Sequence, residues 1–378
     1  MTLLVIFGST PDLAWQELST LFPYAKRISD HVAAIGDASI DSTDLIERLG
    51  GATKIARLTR VVSSVDTVTL VPILAMENFR TFGISTLDTP SVSVSVFSQI
   101  KEILSDQGKS VRYITTQGQL SSVVIAKEHV CEFVIFPYLR KFGVGVTLAV
   151  QPFEEWARRD RGRPHADPRA GMLPPKVARI MVNIADSPPS RSQSPPGRWP
   201  KDSFQVKKVL LDPFCGMGTI PAEALLTGWN VIGSDQSGEA IKKAEANLMW
   251  LSPSQKRWKL LVSDATHISE KIEPASIDAI VTEPFLGKPN FSDTNVRDVV
   301  TGLEKLYIGC FKDWRHVLKG NAKVVIVFPQ FVVRGKTYVV KKAIDSCETL
   351  GYTVLAGPIE YARPNAVVRR EIFVLQKK

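Results

Sequence analysis

A short run of acidic and glycine residues after an apolar segment is the part of this sequence best suited to chemistry. Residues 209–219 read VLLDPFCGMGT, so an apolar run ends at Asp212 and a turn with Gly216 and Gly218 follows. Glycines let the backbone approach a ligand where a Cβ would collide, and a helix that begins after them offers unpaired N–H groups to an anion. This spacing predicts a buried strand, a glycine turn and a helix N-terminus, the arrangement that binds adenosine cofactors in α/β sheets.

Two other nucleotide-binding motifs do not fit this turn. A dinucleotide fold requires G-x-G-x-x-G directly after the strand, and only Gly216 and Gly218 match it. A phosphate-binding loop requires a Lys-Ser or Lys-Thr pair after its last glycine, and none is present. A plain strand–turn–helix without a ligand stays open as the alternative.

The next two predicted strands also end in acids. Residues 229–235 end at Asp235, about 20 residues past the turn, where a carboxylate can accept both ribose hydroxyls. Residues 260–264 end at Asp264, which is placed to accept a hydrogen bond from an adenine amine, although a strand-end aspartate is also a common helix cap. Three such strand ends in succession favour a cofactor. The predicted cofactor-binding residues in these turns are Asp212, Pro213, Phe214, Cys215, Gly216, Gly218, Thr219, Asp235, Gln236, Asp264 and Ala265.

The turn resembles motif I of the S-adenosylmethionine (SAM) methyltransferases that modify exocyclic amines on nucleic acid. Residues 159–164, 171–185 and 233–235 extend this resemblance to the THUMP-containing tRNA guanosine N2-methyltransferases, and residues 49–55 match them more faintly. The resemblance implies SAM as cofactor, tRNA as substrate and guanosine N2 as the acceptor. Some members of the family use a small activating protein partner, and no residue of this sequence assigns one.

A segment before the glycine turn resembles motif X of the same family, which packs beside the methionine end of SAM. The resemblance implies cofactor contacts for Met172, Leu173, Pro174 and Lys176. A solvent-facing position on the following helix is the alternative for Lys176.

The catalytic tetrapeptide departs from the family pattern Asp-Pro-Pro-Tyr/Phe. An ungapped alignment places Thr282 at the acid and Glu283 at the first proline, while a shifted alignment makes Glu283 the acid and displaces the aromatic residue. We interpret Glu283 as the carboxylate, Pro284 as the rigid turn and Phe285 as the stacking ring, with Thr282 as the fourth catalytic candidate. Weak or absent turnover at a retained SAM site is the alternative.

Composition places the chain in a broad class. Its 378 residues suffice for two domains, 44% are hydrophobic and 22% charged, and the net charge of +9 favours an anionic partner such as nucleic acid. No apolar run reaches the ~18 residues of a membrane span, and the first eight residues predict a strand rather than a signal peptide. The four cysteines form no C-x-x-C pair, which predicts no metal site and suits a reducing cytoplasm.

These observations predict an α/β fold with three parts. Residues 1–150 form an α+β region, which the resemblance implies is ferredoxin-like plus THUMP-like and grips tRNA. Residues 151–170 form a basic linker, and residues 171–378 form a Rossmann-like SAM methyltransferase domain. Within these parts we expect a strand at 122–125, a surface loop at 186–201 and a helix at 338–350.

Two other functions stay open at this point. A DNA adenine or cytosine amino-methyltransferase uses a similar motif I, but it needs an element that reads bases in the major groove, and we find none. The α+β region therefore favours structured RNA. A SAM-binding, RNA-binding protein with little or no catalysis is the other alternative.

Overall fold

The computed structural model describes residues 1–36, 40–116, 118–166, 172–186, 208–251, 257–287, 295–362 and 366–378. The chain divides into two compact units, one formed by Met1–Glu155 and the other by the described residues from Trp156 onward. Each unit contains its own sheet and its own buried core.

The first unit alternates short strands and helices. Its elements are β1 (Leu3–Phe7), α1 (Pro11–Leu21), β2 (Lys26–Arg27), β3 (Val32–Ile35), α2 (Ser42–Arg48), β4 (Ala52–Val62), α3 (Thr67–Ala75), β5 (Thr81–Thr86), α4 (Val94–Asp106), β6 (Arg112–Ile114), α5 (Ser122–Lys127), β7 (Cys131–Tyr138) and β8 (Lys141–Val150). The strands form a mixed sheet in the order β2-β3-β1-β4-β8-β7-β5-β6. The predicted α+β character is therefore present.

The second unit alternates strands and helices around a larger, mainly parallel sheet. Its elements are α6 (Phe153–Arg161), within which the division between the units falls, α7 (Pro175–Ala185), β9 (Val209–Asp212), α8 (Thr219–Leu226), β10 (Asn230–Asp235), α9 (Gly238–Leu251), β11 (Trp258–Val262), a 3-10 helix (Ala265–Glu270), β12 (Ile277–Thr282), α10 (Val296–Val317), β13 (Leu318–Val333), β14 (Lys336–Val339), α11 (Lys341–Asp345), β15 (Tyr352–Tyr361) and β16 (Val368–Lys377).

The sheet of the second unit positions the predicted site. Its order is β11-β10-β9-β12-β13-β16-β15, with parallel pairing from β11 to β13 and antiparallel pairing of β16 with both of its neighbours. The chain reverses its winding direction at β9, so the carboxyl ends of β9, β10 and β12 meet at a switch point where α/β folds bind ligands. This confirms the predicted Rossmann-like α/β fold.

Several local predictions are corrected by the structure. Residues 122–125 lie in helix α5 and not in a strand, because Ser121 Oγ accepts the N–H of Val124 as an N-cap. Tyr338 lies in strand β14, so the predicted helix at 338–350 is reduced to α11. Residues 153–161 of the predicted linker form a helix, and the loop predicted at 186–201 lies outside the described residues after Asp186.

Candidate active site

The glycine turn after β9 is tied to the neighbouring strand by backbone hydrogen bonds. Cys215 N–H donates to the Ser234 carbonyl at 2.8 Å, and Gly216 N–H donates to Asp235 Oδ2 at 3.1 Å. Gly216 and Gly218 have φ values of +50° and +84°, in the left-handed region that favours glycine. A Cβ on Gly216 would meet no atom within 4 Å, so this peptide faces open space between the ends of β9 and β10.

Asp235 closes one side of this open space. Its Oδ1 accepts the Ser237 N–H at 2.9 Å while Oδ2 accepts the Gly216 N–H, so backbone groups fix the carboxylate. Each carboxylate oxygen has two lone pairs, which leaves acceptor capacity for two hydroxyl groups. Gln236 follows directly and is exposed.

Asp264 and Ala265 lie at the end of β11, with different exposure. Asp264 Oδ1 accepts the Thr266 N–H and hydroxyl, both at 2.8 Å, and so caps the 3-10 helix. These hydrogen bonds from Thr266 lower the pKa of Asp264, and its side chain is 58% exposed. Ala265 is buried and its carbonyl accepts Trp314 Nε1–H at 3.0 Å, which places it in the core behind the turn.

Asp212 and Thr282 form a buried pair between β9 and β12. Thr282 Oγ1 donates to Asp212 Oδ1 at 2.7 Å, and the two residues are 0% and 1% exposed. Burial raises the pKa of Asp212 to about 8, although the hydrogen bond from Thr282 lowers it. The catalytic role predicted for Thr282 is not supported by this placement, because its hydroxyl is directed at Asp212 and no part of the residue reaches the surface.

The other residues of the turn connect it to the protein interior. Phe214 N–H donates to Asp212 Oδ1 at 3.2 Å, and burial raises the pKa of the Cys215 thiol well above its usual range. Thr219 opens helix α8, and its hydroxyl accepts Arg163 Nη1–H at 2.8 Å. Pro213 is buried behind the turn.

Glu283 follows β12 directly and is the acid placed nearest the surface at this strand end. Its carboxylate accepts Arg370 Nε–H at 2.5 Å and the backbone N–H of Leu173, and its side chain is 17% exposed. Burial raises the pKa of Glu283, while Arg370 opposes the rise. Glu283 thus contacts the segment predicted as motif X through the Leu173 N–H.

Pro284 and Phe285 form the turn that leaves β12. Pro284 is buried, whereas the Phe285 ring is presented outward in a residue that is 52% exposed. The hydroxyl of Tyr307, on helix α10, donates to the Phe285 carbonyl at 2.7 Å and holds the turn from the interior. An exposed aromatic ring next to a half-buried carboxylate is suited to stacking a planar group.

The segment 172–176 leads into helix α7 beside these residues. Leu173 is buried and donates its N–H to Glu283, and Pro174 is the N-cap residue of α7. Met172 Sδ accepts Arg163 Nη2–H at 3.2 Å. Lys176 Nζ lies 5.7 Å from the Trp156 ring centre, and burial lowers the pKa of Lys176 to about 8.

A buried charge cluster, which sequence reasoning missed, joins α6, α7 and α8. Glu223 is 1% exposed and pairs with Arg159 Nε at 2.8 Å and Arg179 Nη2 at 2.7 Å. Arg179 interrupts an apolar stretch of α7, and a charge on a buried helix face requires a partner. The sequence pattern of α7 could therefore have predicted a buried ion pair.

The contact of Arg370 with Glu283 could not be predicted from the sequence pattern, because it joins positions 87 residues apart.

Two negative findings apply to the described part of the chain only. There, no group of three His, Cys, Asp or Glu residues could hold a metal ion. No helix in the same residues is both long and apolar enough to cross a membrane.

Comparison with known proteins points in the same direction as the geometry. A family model described as RMKL-like, methyltransferase domain, matches residues 203–334. The tRNA (guanine(10)-N2)-dimethyltransferase of Pyrococcus abyssi is 28% identical over 241 residues, which are 63% of this chain and 60% of that protein. The protein of the same name from Methanocaldococcus jannaschii is 29% identical over 182 residues, 45% of this chain and 42% of the relative.

A solved structure shares the fold. TrmN from Thermus thermophilus superposes with a TM-score of 0.56 at 18% identity, covering 100% of both chains. The fold, the strand ends and the matched family model together define a Rossmann-like methyltransferase domain. Over part of its length the chain is similar to proteins named as tRNA guanine-N2 dimethyltransferases, which agrees with the resemblance seen in its motifs. It spans about 60% and 42% of the lengths of the two curated relatives.

Proposed function

We propose that this protein transfers a methyl group from SAM to the N2 amine of guanosine in tRNA. The observation that carries the proposal is the placement of Glu283 and Phe285. A half-buried carboxylate and an outward-facing ring follow β12, whose neighbour β9 leads into the glycine turn, and Asp235 ends the next strand, β10. The relatives named for tRNA guanine methylation support the choice of acceptor.

The residues at the ends of β9 and β10 and just after β11 are suited to hold SAM. Asp235 would accept the ribose hydroxyls, because backbone N–H groups already hold its carboxylate in place. Asp264 would accept the adenine amine, since its side chain is exposed just after β11, the strand next to β10. The turn at Gly216 and the N-terminus of α8 would face the methionine carboxylate, where unpaired N–H groups favour an anion.

A guanine N2 amine is a weak nucleophile, so its methylation needs a group that accepts the amine proton. The lone pair of the amine is delocalised into the ring. Acceptor atoms that take hydrogen bonds from both of its N–H groups make the nitrogen more reactive. Glu283 would accept one N–H and then take the proton that leaves as the new N–C bond forms; such positioned proton transfer contributes about 10²–10⁴-fold. SAM supplies an electrophilic methyl group on a sulfonium and leaves as a neutral thioether. Phe285 would hold the flipped base by stacking.

The first unit would bind the tRNA. We propose that residues 1–150 are the ferredoxin-like and THUMP-like RNA-binding region, residues 151–170 the basic linker and residues 171–378 the catalytic domain, acting in the cytoplasm. The mixed α+β sheet of the first unit and the net charge of +9 support binding to structured RNA.

A transfer assay with labelled SAM tests this function. Purified protein is mixed separately with bulk tRNA and with duplex DNA, and labelled tRNA is digested to nucleosides. Label in N2-methylguanosine is the expected result. Label on DNA alone would point to a DNA amino-methyltransferase, and SAM binding by calorimetry without any transfer would point to a non-catalytic RNA-binding protein.

Two glutamine variants separate the catalytic carboxylate from a general effect of charge removal. Glu283→Gln keeps the size of the side chain but cannot take the proton, so kcat should fall at least about 10²-fold. Glu371→Gln is the matched control: Glu371 lies beside Arg370 on β16, and its carboxylate accepts from Gln330 at 2.8 Å. Equal rates for the two variants would remove Glu283 from the mechanism.

A further inference from the structure

We propose that Arg370 is a positioning residue of the transfer site, which holds the Glu283 carboxylate ionised and directed at the incoming amine. The inference rests on the proposed function, but its central claim concerns a contact within this chain. Arg370 comes from β16, and none of the motifs of the sequence contains it.

The sheet brings these two residues together. Thr282, the last residue of β12, pairs with Ile326 of β13, and β13 then continues to Val333 beyond the end of β12. Arg370 pairs with Pro329 in this extension and so lies past the carboxyl edge of β12. From there its Nε reaches Glu283 Oε1 at 2.5 Å.

The pair is shielded from water on most sides. The side chains of Arg370 and Glu283 are 15% and 17% exposed, so their attraction is screened less than that of a surface pair. A carboxylate offers about four lone-pair sites, and the N–H groups of Arg370 and Leu173 use two of them. Capacity to accept an amine N–H therefore remains while the two bonds fix the orientation of the carboxylate.

The protonation state of Glu283 depends on Arg370. Burial favours the neutral acid, and a protonated Glu283 could not take the amine proton. The titratable groups that act on it in the described chain are Arg370 from β16, Asp212 from β9 and Tyr307 from α10. Arg370 is the one cation among these, so it opposes the effect of burial on the carboxylate.

The pair also accounts for the altered tetrapeptide. Position 282 holds a threonine that donates to Asp212, so in the proposed function the residue after the strand end supplies the acid. A glutamate there has a longer side chain than aspartate, so its carboxylate can rotate away from the amine that receives the methyl group. The two fixed donors, Arg370 and the Leu173 N–H, limit that motion.

The experiment compares Arg370→Met and Arg370→Lys with Arg369→Met. Arg369 is the matched control, because it is adjacent on β16, points to the opposite face of the strand and pairs with Glu360 on the surface. The pKa of Glu283 is measured by ¹³C NMR of carboxyl-labelled glutamate, assigned with Glu283→Gln. The kcat and KM for tRNA methylation are measured across pH in the same variants, and circular dichroism and thermal melting check folding.

Arg370→Met should raise the Glu283 pKa and move the acid limb of the kcat profile to higher pH, with a loss of about tenfold near neutral pH. The rate should recover as the pH rises, KM for SAM should not change, and Arg370→Lys should restore part of the shift. The inference is overturned by a Glu283 pKa that is equal in Arg370→Met and Arg369→Met, or by a rate loss independent of pH. If wild-type protein transfers no methyl group but the NMR shift appears, the proposed function fails, and the effect of Arg370 on the ionisation of Glu283 stands.

Discussion

At the scale of single residues, two carboxyl groups near the end of β12 differ in environment. Asp212 is 1% exposed and has a threonine as its side-chain partner, so burial raises its pKa to about 8. Glu283 is more exposed and has an arginine as its partner. Environments that separate the pKa values of two carboxyl groups in this way suit the two groups to different roles. Burial favours the protonated form of Asp212 near neutral pH, and Glu283 is the candidate base.

The raised pKa of Asp212 predicts how stability changes with pH. An unfolded aspartate has a pKa of about 3.9, so between about pH 4 and pH 8 the native state keeps a proton that the unfolded chain has lost, and stability falls as the pH rises. Asp212→Asn should make the free energy of unfolding of the second unit fall less steeply with pH, by about 1 kcal/mol per pH unit. Urea titrations at several pH values, followed by tryptophan fluorescence, measure this slope.

The control for this prediction is Thr282→Ser, which keeps the hydroxyl donor to Asp212 and should keep the wild-type slope. Tryptophan fluorescence reports mainly on the second unit, because of the seven tryptophans only Trp15 precedes residue 156. A slope that is unchanged in Asp212→Asn would mean that Asp212 is ionised in the folded protein.

Phe285 should affect substrate handling and leave stability nearly unchanged. The residue is 52% exposed, so Phe285→Ala removes little buried surface. The loss of base stacking should cost about 1–3 kcal/mol in kcat/KM for tRNA. Phe285→Tyr keeps an aromatic face and serves as the control. Steady-state methylation kinetics together with melting temperatures check this pair, and a large stability loss in Phe285→Ala would indicate a packing role.

At the scale of elements, the site consists of strand ends, and this explains what the sequence could predict. The positions of the glycine turn, Asp235 and Asp264 at or just past strand ends were predictable because each comes at the end of a mainly apolar run. The contacts of Thr282 with Asp212 and of Glu283 with Arg370 were not, because they depend on which strands are neighbours and on the register of β13 with β16. Helix α5 was mistaken for a strand because its β-branched residues outweighed the cap at Ser121.

The turn between β9 and α8 predicts the effect of changing Asp235. Asp235→Ala removes the acceptor proposed for the ribose and also the acceptor of the Gly216 N–H. SAM binding should weaken by about 1.5–3 kcal/mol, as for a lost charged hydrogen bond. Calorimetric titration with SAM measures the change, and Asp264→Ala gives a comparison at the adenine end. Unchanged affinity in folded Asp235→Ala protein would rule out the ribose assignment.

At the scale of the whole molecule, the two units divide the proposed work. The residues proposed for SAM binding and transfer all come from the second unit, and the first unit has its own core. That core contains a buried ion pair: Lys54 Nζ lies 2.5 Å from Glu132 Oε1, with side-chain exposures of 2% and 0%. Ser85 and Thr147 donate to the same carboxylate. The pair therefore offers a way to weaken one unit from its interior.

Lys54→Met leaves Glu132 as a buried charge without its cation, which should cost the first unit about 3–5 kcal/mol of stability. Scanning calorimetry should show a lower first transition, while the transition reported by tryptophan fluorescence and the Kd for SAM stay at wild-type values. Methylation of tRNA should fall at temperatures where the first unit melts, because the proposed RNA-binding region is lost. Adding Glu132→Gln should recover part of the stability and the activity, since no unpaired charge then remains. A parallel loss of SAM binding and tRNA methylation in Lys54→Met would contradict the division of work, because it would place cofactor binding under the control of the first unit.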